Sequence, residues 1–135
     1  MKKTILLLIT LTPSLVFSQC VSGDCQNGYG TYYFTGEWEG DTYIGEWKDG
    51  NMHGYGVYTW SDGNIYKGEH RDNLSHGFGS MYYLRPGKNQ GDVFHGEYKD
   101  GKKNGIGTYI WSDGKGDVSY YIDGKEIKRL CDFEK

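Results

Sequence analysis

"GEWKDGNMHGYGVYTW", residues Gly45 to Trp60, places glycines beside bulky rings on either side of a charged turn. Read with the preceding Tyr43 and Ile44, the alternation puts Tyr43, Gly45 and Trp47 on one face and Ile44, Glu46 and Lys48 on the other, which is the period of a β-strand. "KDGN" then turns the chain, because Asp-Gly readily takes the positive φ values of a tight hairpin. On the return, Gly54, Gly56, Tyr58 and Trp60 share one face, and "SDGN" turns again before Tyr66. The stretch is one β-hairpin. Glycine beside a ring removes the side chain that would hold the ring off, so rings of one hairpin are expected to lie flat across the backbone of the next.

The pattern recurs. "NGYGTYYF" from Asn27, "HGYGVYTW" from His53, "HGFGSMYY" from His76 and "NGIGTYIW" from Asn104 align on paired glycines, with spacings of 26, 23 and 28 residues. The other half repeats as "YIGEWKDG" from Tyr43, "YKGEHRDN" from Tyr66 and "FHGEYKDG" from Phe94, and "FTGEWEGD" from Phe34 reads as a worn copy. Hairpins that are marginal alone gain a neighbour by stacking. The expected fold is therefore all-β, an elongated single-layer antiparallel sheet of stacked hairpins. The columns Tyr32, Tyr58, Met81, Tyr109 and Phe34, Trp60, Tyr83, Trp111 would run along it as ladders. Four two-strand units span roughly 40 Å at about 4.8 Å per strand.

These units, from about Asn27 to Gly114, resemble MORN repeats, three of them nearly position for position. The resemblance implies a stacked-hairpin scaffold of the kind used for protein interaction and membrane association, often joined to a catalytic domain that is not seen here. It supplies no general set of functional residues to carry over.

The chain has 135 residues, room for one domain. "MKKTILLLITLTPSLVFSQ" has a basic start at Lys2 and Lys3, then an apolar run, and reads as a secretory signal peptide over residues 1–18 with cleavage after Ser18. Residues 19–42 are expected to form an N-terminal cap with a degenerate repeat, 43–119 the repeats proper, and 120–135 a capping hairpin and tail. Export to the periplasm or the cell exterior follows. Loss of Lys2 and Lys3 leaves 13 basic residues against 18 acidic ones, a formal charge of −5. Nucleic acid is thereby disfavoured as a partner, and an anionic membrane is not favoured. A lipid anchor at Cys20 is the lesser alternative, since the preceding Phe17 and Gln19 suit a lipoprotein signal poorly. Cys20 and Cys25 are close enough in sequence to bridge and staple the cap, whereas Cys131 at the far end is left over.

Chemical signals are sparse. The G-x-G pairs lack the third glycine and the helix that a phosphate cradle needs. Glu46, Glu69 and Glu97 recur at one repeat position, about 10 Å apart by strand spacing, which suits acceptors for turn backbone better than a shared cation or a carboxylate pair. His53 and His76 share a position too, but do not make a set of three or four converging ligands. No G-x-S-x-G elbow surrounds any serine. No catalytic residue, metal or cofactor is assigned.

What remains is recognition. The candidate interaction face is the ring set Tyr43, Trp47, Tyr58, Trp60, Tyr66, Phe94, Tyr98, Tyr109 and Trp111. The link Leu84–Val93, longer than its counterpart after Trp60, is a candidate specificity loop through Arg85, Lys88, Asn89 and Gln90. The reading is a non-enzymatic exported scaffold for an unidentified protein or envelope component. A lipid-surface binder and a glycan binder using exposed aromatics are the alternatives.

Overall fold

A computed structural model describes residues 19–134, so the expected signal peptide, 1–18, lies outside the described residues. Ten strands follow one another in chain order and pair antiparallel with their sequence neighbours in one sheet. They are β1 (Gln19–Gly23), β2 (Tyr29–Tyr33), β3 (Thr42–Lys48), β4 (Asn51–Thr59), β5 (Ile65–Arg71), β6 (Leu74–Tyr82), β7 (Val93–Lys99), β8 (Lys102–Ile110), β9 (Gly116–Ile122) and β10 (Lys125–Phe133). The two-residue turns are left-handed at both positions: Asp49 and Gly50 have φ of 50° and 75°, and Asp100 and Gly101 have 48° and 82°. That conformation matches the twist of the strands it joins, and Asp-Gly adopts it cheaply.

Register places the second glycine of each G-x-G opposite the glycine of each G-E, so Gly30, Gly45, Gly56, Gly68, Gly79, Gly96 and Gly107 form a bare row across the sheet. Rings fill the space. A Cβ on Gly45 or Gly56 would meet the Tyr43 ring, one on Gly68 or Gly79 the Tyr66 ring, and one on Gly96 or Gly107 the Phe94 ring. Each ring thus covers the glycines of its own hairpin, where the sequence suggested its neighbour's. Joining hairpins falls to a second ring set, described below.

Opposite each G-E glycine and the aromatic after it, the return strand carries extra residues, so register slips between Gly45 and Trp47, Gly68 and His70, and Gly96 and Tyr98. Gly54, Gly77 and Gly105 take positive φ at these bulges. Such bulges bend a strand. Tyr43 and Phe94 are fully buried although the described residues form a single layer, because the sheet bends around them; this side is the inner face.

The loops that join hairpins alternate in length: residues 34–41 and 83–92 are long, 60–64 and 111–115 short. "FTGEWEGD" is therefore not a worn strand. Gly36–Trp38 is a short helical turn, and the long loop containing it is the counterpart of the one that holds most of the Leu84–Val93 link. Both end in a buried aspartate with the same work: Asp41 accepts from the Tyr58 hydroxyl (2.6 Å) and the Ser61 amide (2.8 Å), and Asp92 accepts from Tyr109 (2.7 Å) and Ser112 (2.9 Å). The structural period is two hairpins, not one.

At the ends, Cys20 and Cys25 form a disulfide that ties β1 to the turn before β2. Cys131 is free and exposed on β10. The expected boundary between residues 119 and 120 falls inside β9, whose Ser119 takes the glycine position opposite Gly107. The edge strand β10 carries two register slips besides Lys125, Lys128 and Arg129, and both devices discourage pairing with a further strand.

Candidate interaction surfaces

Of the nine rings expected to form a docking face, Tyr43, Trp47, Tyr66, Phe94 and Tyr98 are buried. They are the interior of the fold, and this part of the expectation is corrected: Tyr43, Tyr66 and Phe94 are seated on bare glycine backbone, and Trp47 and Tyr98 pack edge-on against these rings, so none has a face left to offer. With His70 and Tyr121 they form one zigzag of edge-on contacts. The centroid distances run Trp47–Tyr43 5.1 Å, Tyr43–His70 4.9 Å, His70–Tyr66 5.1 Å, Tyr66–Tyr98 5.0 Å, Tyr98–Phe94 5.6 Å and Phe94–Tyr121 5.3 Å. Successive hairpins are joined by this chain. Edge-on geometry adds about 0.5–1.5 kcal/mol per pair beyond area burial.

Tyr58, Trp60, Tyr109 and Trp111 are half-buried and border two grooves on the inner face. The first, about 560 Å³, is mostly apolar, with Phe34, Trp38, Met52, Trp60 and Leu74 among its walls. The second, about 660 Å³, is polar and holds Lys103, Asp117, Arg129 and Asn89 beside Tyr109 and Trp111. Lys103, opposite Tyr98, occupies the position that Met52 has opposite Trp47 and Ser75 opposite His70 in the earlier hairpins. Its ammonium lies 4.1 Å from the centroid of Phe94, 4.8 Å from Tyr109, 5.5 Å from Tyr121 and 5.7 Å from Tyr83. Burial drags its pKa down to about 8, against a smaller upward pull from Asp117.

The loop candidates are divided. Arg85 pairs with Asp62 at 3.6 Å, and Asn89 donates to the Tyr109 hydroxyl at 3.0 Å beside the polar groove. Lys88 is exposed and lines both that groove and a smaller one formed by the loop itself, and Gln90 is exposed. Being one of two long loops that alternate with short ones, this segment is not irregular in length.

The opposite, outer face carries a feature that the sequence reading passed over. The residue inside each G-x-G is Tyr29, Tyr55, Phe78 or Ile106, exposed by 62, 57, 65 and 53 % respectively. Cross-strand pairing sets Tyr29 against Glu46, Tyr55 against Glu69, Phe78 against Glu97 and Ile106 against Tyr120. An apolar side chain thus recurs every second strand, about 10 Å apart, with a glutamate between. The signal was present, since four G-x-G motifs all enclose a large apolar residue in a strand whose partner face is already filled.

The glutamates also act locally. Glu46 accepts the amide of Tyr55 at 3.1 Å and Glu69 that of Phe78 at 3.0 Å, closing the bulges, while Glu97 lies against Gly105. This is the backbone-acceptor role read from their recurrence. His53 lies 4.0 Å from Asp72 and His76 3.5 Å from Asp100, so the two point to separate turns. Among the described residues no three His, Cys, Asp or Glu side chains converge on one point.

The family model described as MORN repeat matches three consecutive segments, residues 43–65, 66–83 and 94–116. No curated protein matches the chain.

Proposed function

Because the chain belongs to the MORN repeat family, a non-catalytic family of protein- and membrane-interaction modules, we propose that it is an exported, non-enzymatic scaffold whose outer row docks a protein partner or an envelope component. One observation carries the reading: Tyr29, Tyr55, Phe78 and Ile106 stand in register, each more than half exposed. Large side chains left in water in an aligned patch mark interaction surfaces far more often than scattered ones do. The inner rings hold the sheet together, and the outer ones are free to bind. Capture of partners from envelope extract by the chain lacking residues 1–18 tests this. Tyr55→Ser with Phe78→Ser should abolish a partner band without moving the unfolding midpoint, and undiminished capture would refute the outer row as the docking site.

The same exposed rings favour a second reading, insertion at a membrane surface. Cosedimentation with neutral and anionic vesicles separates the two, and failure to pellet with either leaves the protein partner as the reading.

A further inference from the structure

We propose that the polar groove beside β8 and β9 is a binding site for a carboxylate, with Lys103 as the residue that holds it. The site is independent of the outer row and lies on the other face of the sheet.

Among the described residues, Lys103 is set apart from every other cation by its surroundings. Its ammonium stands within 6 Å of four ring centroids, Phe94, Tyr109, Tyr121 and Tyr83, and among the described residues it has no hydrogen-bond or ion-pair partner. Nothing in the repeat asks for a lysine there, since Met52 and Ser75 fill the same place in the preceding hairpins. An apolar or small residue satisfies the fold, so the charge is surplus to it.

The acids around the groove do not meet that need. Asp92 is engaged by Tyr109 and Ser112, Asp117 by the Ser119 hydroxyl at 2.9 Å and Arg129 at 3.4 Å, Glu126 by Arg129 at 3.4 Å, and Asp113 by the Lys115 amide at 3.0 Å. Each of these carboxylates already has a partner, and none is within hydrogen-bond or ion-pair distance of the Lys103 ammonium. What the groove still offers is three ammonium N–H donors, and its volume of about 660 Å³ admits a small molecule or one side chain. A carboxylate supplies the missing acceptors, and the flank of Trp111 and Tyr109 suits a planar or ring-shaped body attached to it. Burial lowers the pKa of the Lys103 amine to about 8, and an anion beside it offsets that cost by favouring the charged form.

The test uses the chain lacking residues 1–18, with lysine labelled at the ε-carbon. Ring currents from the four aromatics set the Lys103 ε-methylene signal apart from the other lysines, and Lys103→Met assigns it. Two carboxylates, N-acetylphenylalanine and glucuronate, are titrated beside their uncharged amides. The site stands if at least one acid moves the Lys103 signal, raises the pH at which it titrates, and binds about tenfold tighter than its amide. Which acid does so separates a peptide-like from a sugar-like ligand. If neither acid moves the signal, or an amide moves it equally, the proposal is overturned. Calorimetry on Lys103→Met, whose fold is checked by its unfolding midpoint, should show that preference abolished. None of these outcomes bears on capture by the outer row.

Discussion

The ring of Tyr43 fills the space that a side chain on Gly56 would need, and its hydroxyl donates to the Glu46 carbonyl at 3.1 Å. Gly56→Ala has only two escapes, a displaced ring or a widened hairpin, and each breaks that contact. We expect a loss of about 1–3 kcal/mol, the usual cost of overpacking, read by urea denaturation. At the matching place in the third unit, Gly107→Ala collides with Phe94, and Phe94→Leu should restore part of the loss. Ala at the exposed Lys67 on the outer face should change stability by no more than about 0.5 kcal/mol. Equal effects at Gly56 and Lys67 would show that the nested ring is not what holds the hairpin.

Asp92 is the polar anchor of the long loop. Removing its carboxylate leaves the Tyr109 O–H and the Ser112 N–H without their acceptor, so Asp92→Ala should cost about 1–3 kcal/mol for each donor left unpaired. Tyr109→Phe, which takes away a donor and leaves the carboxylate the Ser112 amide, should cost less. The Asp41 and Tyr58 pair provides an internal repeat of the measurement.

Strand pairing, turn positions and the glycine row are all legible in the sequence, because each rests on local alternation and on Asp-Gly chemistry. Which rings are buried is not. The alternation puts Tyr43 and Tyr55 on opposite faces, but which face turns inward is set by the bend of the sheet at the slips beside Glu46, Glu69 and Glu97. The two-hairpin period was hidden differently. "FTGEW" and "YIGEW" share a phrase, so Gly36–Trp38 resembled a strand, while the true marks, Gly40-Asp41 and Gly91-Asp92, pair across about 50 residues. Lys103 escaped notice because its peculiarity lies in rings from four different segments.

His70 occupies the column of Trp47, Tyr98 and Tyr121, between Tyr43 and Tyr66. Its Nδ1 lies 3.1 Å from the Gly68 carbonyl, and burial lowers its pKa from the ordinary 6.5 to about 4. The unfolded chain then takes up a proton at pH values where the fold refuses it. Stability should be unaffected by this group above about pH 6.5 and fall as pH drops from there to about 4, by roughly 3 kcal/mol at most. His70→Tyr, matching the ring found there in the next hairpin, should flatten that part of the curve. An unchanged acid limb in the variant would assign the loss to other groups.

The hydroxyl of Tyr98 is buried without a hydrogen-bond partner. Tyr98→Phe keeps the edge contacts to Tyr66 and Phe94 and deletes the orphan. A gain of about 1 kcal/mol is expected in the same denaturation assay, and a loss would reveal a partner for the hydroxyl.

Lys103 gives the opposite pH signature to a stabilising cation. Its amine titrates near 8 in the fold against 10.5 in an ordinary lysine, so between these values the unfolded chain binds the extra proton and stability rises with pH. Below pH 8 both states are charged, and the fold carries the full cost of holding an ammonium among rings. Lys103→Met should therefore stabilise the protein at pH 7, by about 1–2 kcal/mol once solvent screening at this partly open site is allowed for, and the gain should vanish above about pH 10.5. Thermal unfolding of both proteins at pH 7 and pH 11 measures it. A substitution that destabilises at pH 7 would mean that the cation–ring contacts outweigh desolvation, and the lysine would then need no ligand to explain its place.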